Sequence, residues 1–155
     1  MGNSNIYSKI IYTRTPKNEL QTWIDKYETG KVFLATEDKV NEIWMPELDN
    51  FLKSKGIKKV VIPQGENNKK LESVAKIWEF LSTNGADRKS LLINIGGGML
   101  TDLVGFAAST FKRGLDFLNI PTTLLSQVDA SVGGKTGINF NGLKTKWARL
   151  KSRWQ

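Results

Sequence analysis

Strands and helices alternate along this 155-residue chain. That pattern predicts an α/β fold: Rossmann-like, with a largely parallel sheet flanked by helices. Three observations carry the expectation. Apolar runs of strand length recur at 32–35, 59–62, 91–95 and 116–120. Segments with helical spacing separate them, and the connections are short. A triple glycine, Gly96, Gly97 and Gly98, follows the third run and leads into a helical stretch. In such a fold, ligands belong at the carboxyl ends of the strands.

Residues 6–12 alternate loosely, as a strand would, and Pro16 breaks the pattern. Leu20, Trp23, Ile24 and Tyr27 predict a helix over 19–27, ended by Gly30. The strand over 32–35 runs into Thr36, Glu37 and Asp38. Thr36 is expected to cap the next helix. Glu37 is open between a cap and an acceptor for a ribose hydroxyl. An uneven helix follows over 40–55, kinked or restarted at Pro46 and closed by Gly56. The strand over 59–62 meets a turn at Pro63, Gln64, Gly65 and Glu66. Leu71, Val74, Ile77, Trp78 and Leu81 share one face of a helix over 69–81, and 84–87 form a loop. After the strand over 91–95 and the glycines, the next helix is expected over 101–111. Its free N–H groups and positive dipole end suit a phosphate. The strand over 116–120 leads through Pro121, Thr122 and Thr123 into a helix over 124–131, then a glycine-rich loop holding Lys135.

Composition narrows the chemistry. The chain is 39% apolar and 25% charged, ordinary for a core-forming soluble protein. It contains no cysteine, hence no disulfide or thiolate metal site, which fits a reducing compartment. It contains no histidine, the commonest general base and metal ligand. No apolar run approaches membrane-spanning length, and the first residues show no signal-peptide core. Met1-Gly2 hints at myristoylation, but Ile6 stands where that motif wants Ser or Thr. A cytoplasmic location is expected. Of the net charge of +8, five come from Lys144, Lys146, Arg149, Lys151 and Arg153. The body is therefore only mildly basic, suited to anionic metabolites and not to a nucleic acid or a membrane.

The common nucleotide motifs fail. Thr101 stands where GxGxxG needs its third glycine, and Asp129 where a P-loop ending in Gly134-Lys135-Thr136 needs its first. The glycine turn fits a ligand site and plain topology about equally. Asp102 could cap the helix or line a site. Thr122 and Thr123 could close a turn or meet phosphate. Asp129, if buried, needs a partner. Lys135 lies where no packing demand calls for lysine, so it fits a phosphate or carboxylate contact, or solvated surface. Lys112 and Arg113 suit a helix C-terminus.

As an ordered set these motifs resemble the 3-dehydroquinate synthase family. The resemblance is carried by PQGENNKKLES at 63–73, IGGGMLTDLVGFAASTFKRG at 95–114 and DFLNIPTTLLSQVDASVGGKTGIN at 116–139. It covers about residues 5–144. It implies an NAD-binding α/β domain over 1–144, followed in the family by a helical, metal-binding C-terminal domain, with the active site between them. It implies a cytoplasmic lyase of the shikimate pathway of aromatic amino acid biosynthesis. The substrate would be a phosphorylated sugar acid, 3-deoxy-D-arabino-heptulosonate 7-phosphate, converted to 3-dehydroquinate with phosphate release. NAD is recycled within the turnover, and zinc or cobalt polarises the reacting hydroxyl. The intact enzyme would be a homodimer. By the same resemblance, Gly65, Glu66, Lys69, Gly98, Met99, Leu100, Thr101, Asp102, Thr122 and Thr123 match cofactor-binding positions. Asp129, Lys135 and Lys144 match positions meeting cofactor and substrate. Asp129 and Arg113 join those two lysines as the catalytic set, Arg113 reaching substrate from a neighbouring subunit.

The resemblance stops abruptly after Lys144. Thr145 replaces the family's asparagine, and residues 145–155, TKWARLKSRWQ, read as a non-family basic tail. The family's metal ligands, a glutamate and two histidines, fall later, so no metal-binding residue is expected here. The expectation is an N-terminal fragment, inactive alone, with an accidental tail. The alternatives are a non-catalytic NAD-binding or interaction module, or a piece of a related sugar-phosphate cyclase such as 2-deoxy-scyllo-inosose synthase. Trp147, Leu150 and Trp154 also leave open a short basic amphipathic helix able to meet an anionic surface.

Overall fold

The computed structural model describes residues 10–130, 135–141 and 143–150, with the backbone alone at 16, 130, 135 and 143–150. Proline opens the first helix, α1 (Pro16–Ile24), where its missing N–H needs no acceptor. That shifts the helix toward the N-terminus of the expected range. Residues 10–12 are irregular, and the rest of the expected first strand lies outside the described residues. Strand β1 (Val32–Glu37) leads into α2 (Asp38–Ile43) and α3 (Met45–Ser54). Pro46 sits in the first turn of α3, so it restarts the helix after Trp44. Next come β2 (Lys58–Ile62), a 3₁₀ turn (Glu66–Asn68), α4 (Leu71–Thr83), β3 (Leu91–Gly96) and α5 (Gly98–Thr110). A short 3₁₀ turn (Phe111–Arg113), β4 (Asp116–Pro121), a π-helical turn (Ser126–Ala130), β5 (Lys135–Phe140) and β6 (Leu143–Leu150) follow.

The four expected strands form one parallel sheet in the order β2-β1-β3-β4. Alternate residues of each strand face opposite sides, which builds two cores. Val32 and Leu34 of β1, with Leu91, Ile93 and Ile95 of β3, pack under Leu20, Ile24, Val40, Met45 and Leu52 from α1, α2 and α3. Phe33, Ala35, Val60, Ile62 and Leu92 face the other way, toward α4 and α5. This explains the unbroken apolar runs: a parallel sheet covered on both faces has no wet side. Each such Leu, Ile or Phe side chain contributes about 1.5–3 kcal/mol by leaving water.

Three expectations are corrected. Helix α5 starts at Gly98, a turn earlier than 101, because both the N–H and the hydroxyl of Thr101 bond Gly97 O at 3.0 Å. Glycine's low helix propensity hid that turn from a sequence reading. Lys135 opens strand β5, although the glycine loop before it, 131–134, lies outside the described residues. The described part of the basic tail is strand β6, not helix. It pairs antiparallel with β5, Trp147 opposite Ile138 and Arg149 opposite Thr136. A short isolated helix is marginal in water, whereas a strand with a partner satisfies its backbone. The hairpin lies against α5 at Gly105, where an added Cβ would collide with Thr136 Cγ2.

Candidate functional site

Helices α2 and α3 leave β1 toward one face of the sheet, and α5 leaves β3 toward the other. The chain therefore parts at the carboxyl ends of these two adjacent strands, opening a crevice at a topological switch point. One hydrogen bond spans that crevice. The Gly97 N–H donates to Glu37 Oε1 at 3.0 Å. Glu37 ends β1, and Gly97 is the cap residue before α5. The next N–H groups, of Gly98, Met99 and Leu100, begin the helix and precede its first intrahelical bond. A side chain at Gly97 would sit 3.4 Å from Glu37 Oε1 and 3.5 Å from Thr123 Cγ2. A bare backbone at this point is what lets a ligand approach the N–H row.

The glycine turn is held from beneath. Buried Asn94 of β3 donates through Nδ2 to Thr101 Oγ1 and to Asn119 Oδ1, both at 3.1 Å. Thr101 in turn donates to Gly97 O. The Thr122 N–H donates to Gly96 O at 3.0 Å, so the end of β4 is tied to the same turn. Thr123 Oγ1 accepts from Ser126 N at 3.2 Å and stands 2.9 Å from Ser126 Oγ, which is a cap on the following turn. Leu124, Leu125 and Val128 of that segment are exposed.

Beside the turn stands a charged cluster. Lys69 Nζ meets Asp102 Oδ2 at 2.6 Å, with the lysine side chain only 6% exposed. Asp102 lies one turn inside α5, so it pairs across to Lys69 instead of capping the helix. Burial pushes its carboxyl above the ordinary range, Lys69 pulls it back, and the charges of Glu66 and Asp129 push it further up. The 3₁₀ turn carrying Glu66 reverses at Gly65, whose φ of 102° favours glycine. It is anchored at one end by Gln64 N–H donating to Asp38 Oδ1 at 3.1 Å. At its other end Asn139 of β5 donates from its backbone to Lys69 O (2.7 Å) and from Nδ2 to Glu66 Oε1 (2.8 Å).

Gly65, Glu66, Lys69, Gly98, Met99, Leu100, Thr101, Asp102, Thr122, Thr123 and Asp129 thus gather at the carboxyl end of the sheet. Lys135 and Lys144 do not stand side by side. Lys135 opens β5 opposite Leu150, and Lys144 lies next to the tip, where Leu143 pairs with Phe140. Arg113 is at the far end of α5, roughly 20 Å along the helix from the glycine turn. Thr36 does not cap α2: it is buried and donates to Ile95 O at 2.9 Å, so Glu37 takes the cap position. Asn94 and Asn139 were not singled out from sequence. An asparagine inside the apolar run LLINIG is a visible signal for the first; nothing marks the second.

Among the described residues no three Asp or Glu side chains stand together as a metal-holding group. Nor is any described helix long and apolar enough to cross a membrane.

Comparison with known proteins agrees with this geometry. The family model described as 3-dehydroquinate synthase N-terminal matches residues 59–148, four residues beyond Lys144. The 3-dehydroquinate synthase of Parabacteroides distasonis is 45% identical over 138 residues, covering 89% of this chain and 39% of that protein. The enzyme of the same name from Pyrococcus furiosus is 49% identical over 112 residues, covering 72% of this chain and 33% of its own length. The chain therefore spans about two fifths or less of these relatives. Among solved structures, the 2-epi-5-epi-valiolone synthase of Streptomyces hygroscopicus, which has NAD+ and Zn2+ bound, superposes with a TM-score of 0.76 at 27% identity. That match covers 92% of this chain and 41% of the other. A 2-deoxy-scyllo-inosose synthase shares the fold with a TM-score of 0.76 at 20% identity, covering 86% and 38%.

Proposed function

The chain belongs to the 3-dehydroquinate synthase family, and on that footing we propose that it forms the NAD-binding half of a 3-dehydroquinate synthase. The observation that carries the reading is the Glu37–Gly97 bond across the switch point, beside the open N-terminus of α5. The N–H groups of Gly98, Met99 and Leu100 would receive the pyrophosphate. Glu37 and Glu66 would receive ribose hydroxyls, and Thr122 and Thr123 would flank the turn. Bound here, NAD would supply reversible hydride chemistry. This chain's residues bind it, orient it and hold charge beside it. Lys69 keeps Asp102 anchored, and Asp129 lies on the same side. Lys135 and Lys144, cationic residues on the hairpin, would meet a phosphorylated sugar acid.

The described residues do not suit zinc or cobalt, so no step here passes through a metal. In the proposal, a helical metal-binding domain completes the site and covers the exposed Leu124, Leu125 and Val128. The chain alone would not turn over substrate. The intact enzyme would work in the cytoplasm as a homodimer. Support for the dimer comes from Arg113, which is remote from its own chain's crevice and is held at φ 72° next to Lys112 at φ 43°. Two successive non-glycine residues in the left-handed region are strained, and such strain clusters at functional sites.

Calorimetric titration of NAD into this chain tests the proposal. Saturable binding is expected, and Glu37→Gln should weaken it about tenfold, the scale of one hydrogen bond to a charged group. A chain that melts cooperatively but takes up no NAD would refute the reading.

A further inference from the structure

We propose that Asn139 is a positioning residue that sets the place of Glu66 and Lys69 relative to α5. The inference rests on the cofactor reading above. The turn carrying Glu66 and Lys69 has bonds of its own. Asn68 N–H donates to Gly65 O at 2.9 Å, Lys69 N–H to Glu66 O at 3.0 Å, and Asn68 Nδ2 to Gln64 O at 2.8 Å. These bonds fix the turn's internal shape. They do not fix where the turn stands against the sheet.

Asp38 anchors its start through Gln64. Asn139 anchors its end with two bonds from one residue, to Lys69 O and Glu66 Oε1. Asn139 stands on a strand packed against α5, since three residues earlier Thr136 lies close enough to Gly105 to leave no room for a Cβ there. The path from α5 through β5 to the turn therefore closes on α5 again at the Lys69–Asp102 pair. Among the described residues, the Asn139 side chain is the group that donates to the carboxylate of Glu66. Its amide must donate. An aspartate at 139 cannot donate, and it would set one carboxylate against another.

The test is a double-mutant cycle on the full chain, with NAD as the titrant. Asn139→Asp should weaken NAD about tenfold when residue 66 is glutamate. In the E66Q background, where a glutamine amide can donate to the new carboxylate, the same change should cost less than about twofold. Asn139→Ala, which keeps the backbone bond to Lys69 O, should fall between. Hydrogen exchange over residues 63–70 should rise in N139D and return in N139D/E66Q. Equal losses of affinity in both backgrounds would overturn the proposal while leaving NAD binding intact. So would unchanged exchange in N139D. If the unchanged chain bound no NAD, the cofactor reading would fall by itself, and the exchange over residues 63–70 would still decide the positioning role: a rise in N139D would uphold it, and unchanged exchange would overturn it.

Discussion

Lys69→Met should lower the stability of this chain by roughly 3 kcal/mol at neutral pH, and by much less near pH 4. Methionine preserves most of the buried stem but removes the charge that faces Asp102. The lysine side chain is 6% exposed and that of Asp102 is 23% exposed, so the stranded carboxylate gains little help from water. The figure sits at the low end for a broken buried pair because Asp102 keeps that partial exposure.

The pH dependence follows from the direction of the shift. Burial already raises the Asp102 carboxyl, with Glu66 and Asp129 adding to the rise and Lys69 opposing it. A raised carboxyl holds its proton longer in the folded chain than in the unfolded one. Its contribution to stability is complete below the unfolded value, near pH 4, and is lost as pH climbs through the folded value. Removing Lys69 lifts the folded value further, so the loss widens and deepens toward neutrality. Urea unfolding at several pH values between 4 and 7 measures it. Adding Asp102→Asn to Lys69→Met should restore most of the stability at pH 7, since neither charge then remains. A deficit that stays constant with pH would mean that packing, not charge, makes Lys69 matter.

The second large effect is expected at Gly105. Gly105→Ala should cost about 1–3 kcal/mol, the range for overpacking, and about 2–4 °C of melting temperature per kcal/mol. Its new methyl would meet Thr136 Cγ2 head on, with Thr136 Cβ at 3.2 Å and Phe117 Cε2 at 3.4 Å. Helix α5 is buried along its length and cannot retreat, so β5 must lift away. Thr136→Ser deletes the colliding methyl and keeps the hydroxyl, and it should recover more than half of the loss in a thermal melt. No recovery would show that the clash is relieved elsewhere. At Gly96 the nearest atom, 2.6 Å away, is Cδ2 at the far end of the Leu100 side chain, which can turn about its own bonds, so Gly96→Ala should be milder. Because β5 carries Asn139, Gly105→Ala should also loosen the Glu66 turn and weaken NAD binding.

The sheet and most helices could be read from the sequence because their signals are local. The apolar runs at β1 and β3 and the spacing along α4 state what each segment must bury, whatever surrounds it. So does the family resemblance, which rests on short motifs whose residues are contiguous. The first turn of α5 escaped because glycine hides helix. Strand β6 escaped because a strand exists only through its partner, and Trp147, Leu150 and Trp154 suit a helix equally well in isolation.

At the site, the residues themselves marked the glycine turn and Asp102, and the family resemblance marked the turn with Glu66 and Lys69. Tertiary structure decided how they relate. Lys69 and Asp102 lie 33 positions apart and Glu37 and Gly97 lie 60 apart, and both pairs meet only because the parallel sheet aligns the ends of its strands. The same folding carried Arg113 to the opposite end of α5, and it gave Asn139, unremarkable in the chain, its grip on the turn. Residue types and local periods determine which elements form and what chemistry is available. Which groups meet depends on long-range packing, since a charge or an amide acquires its role from the partner the fold sets against it.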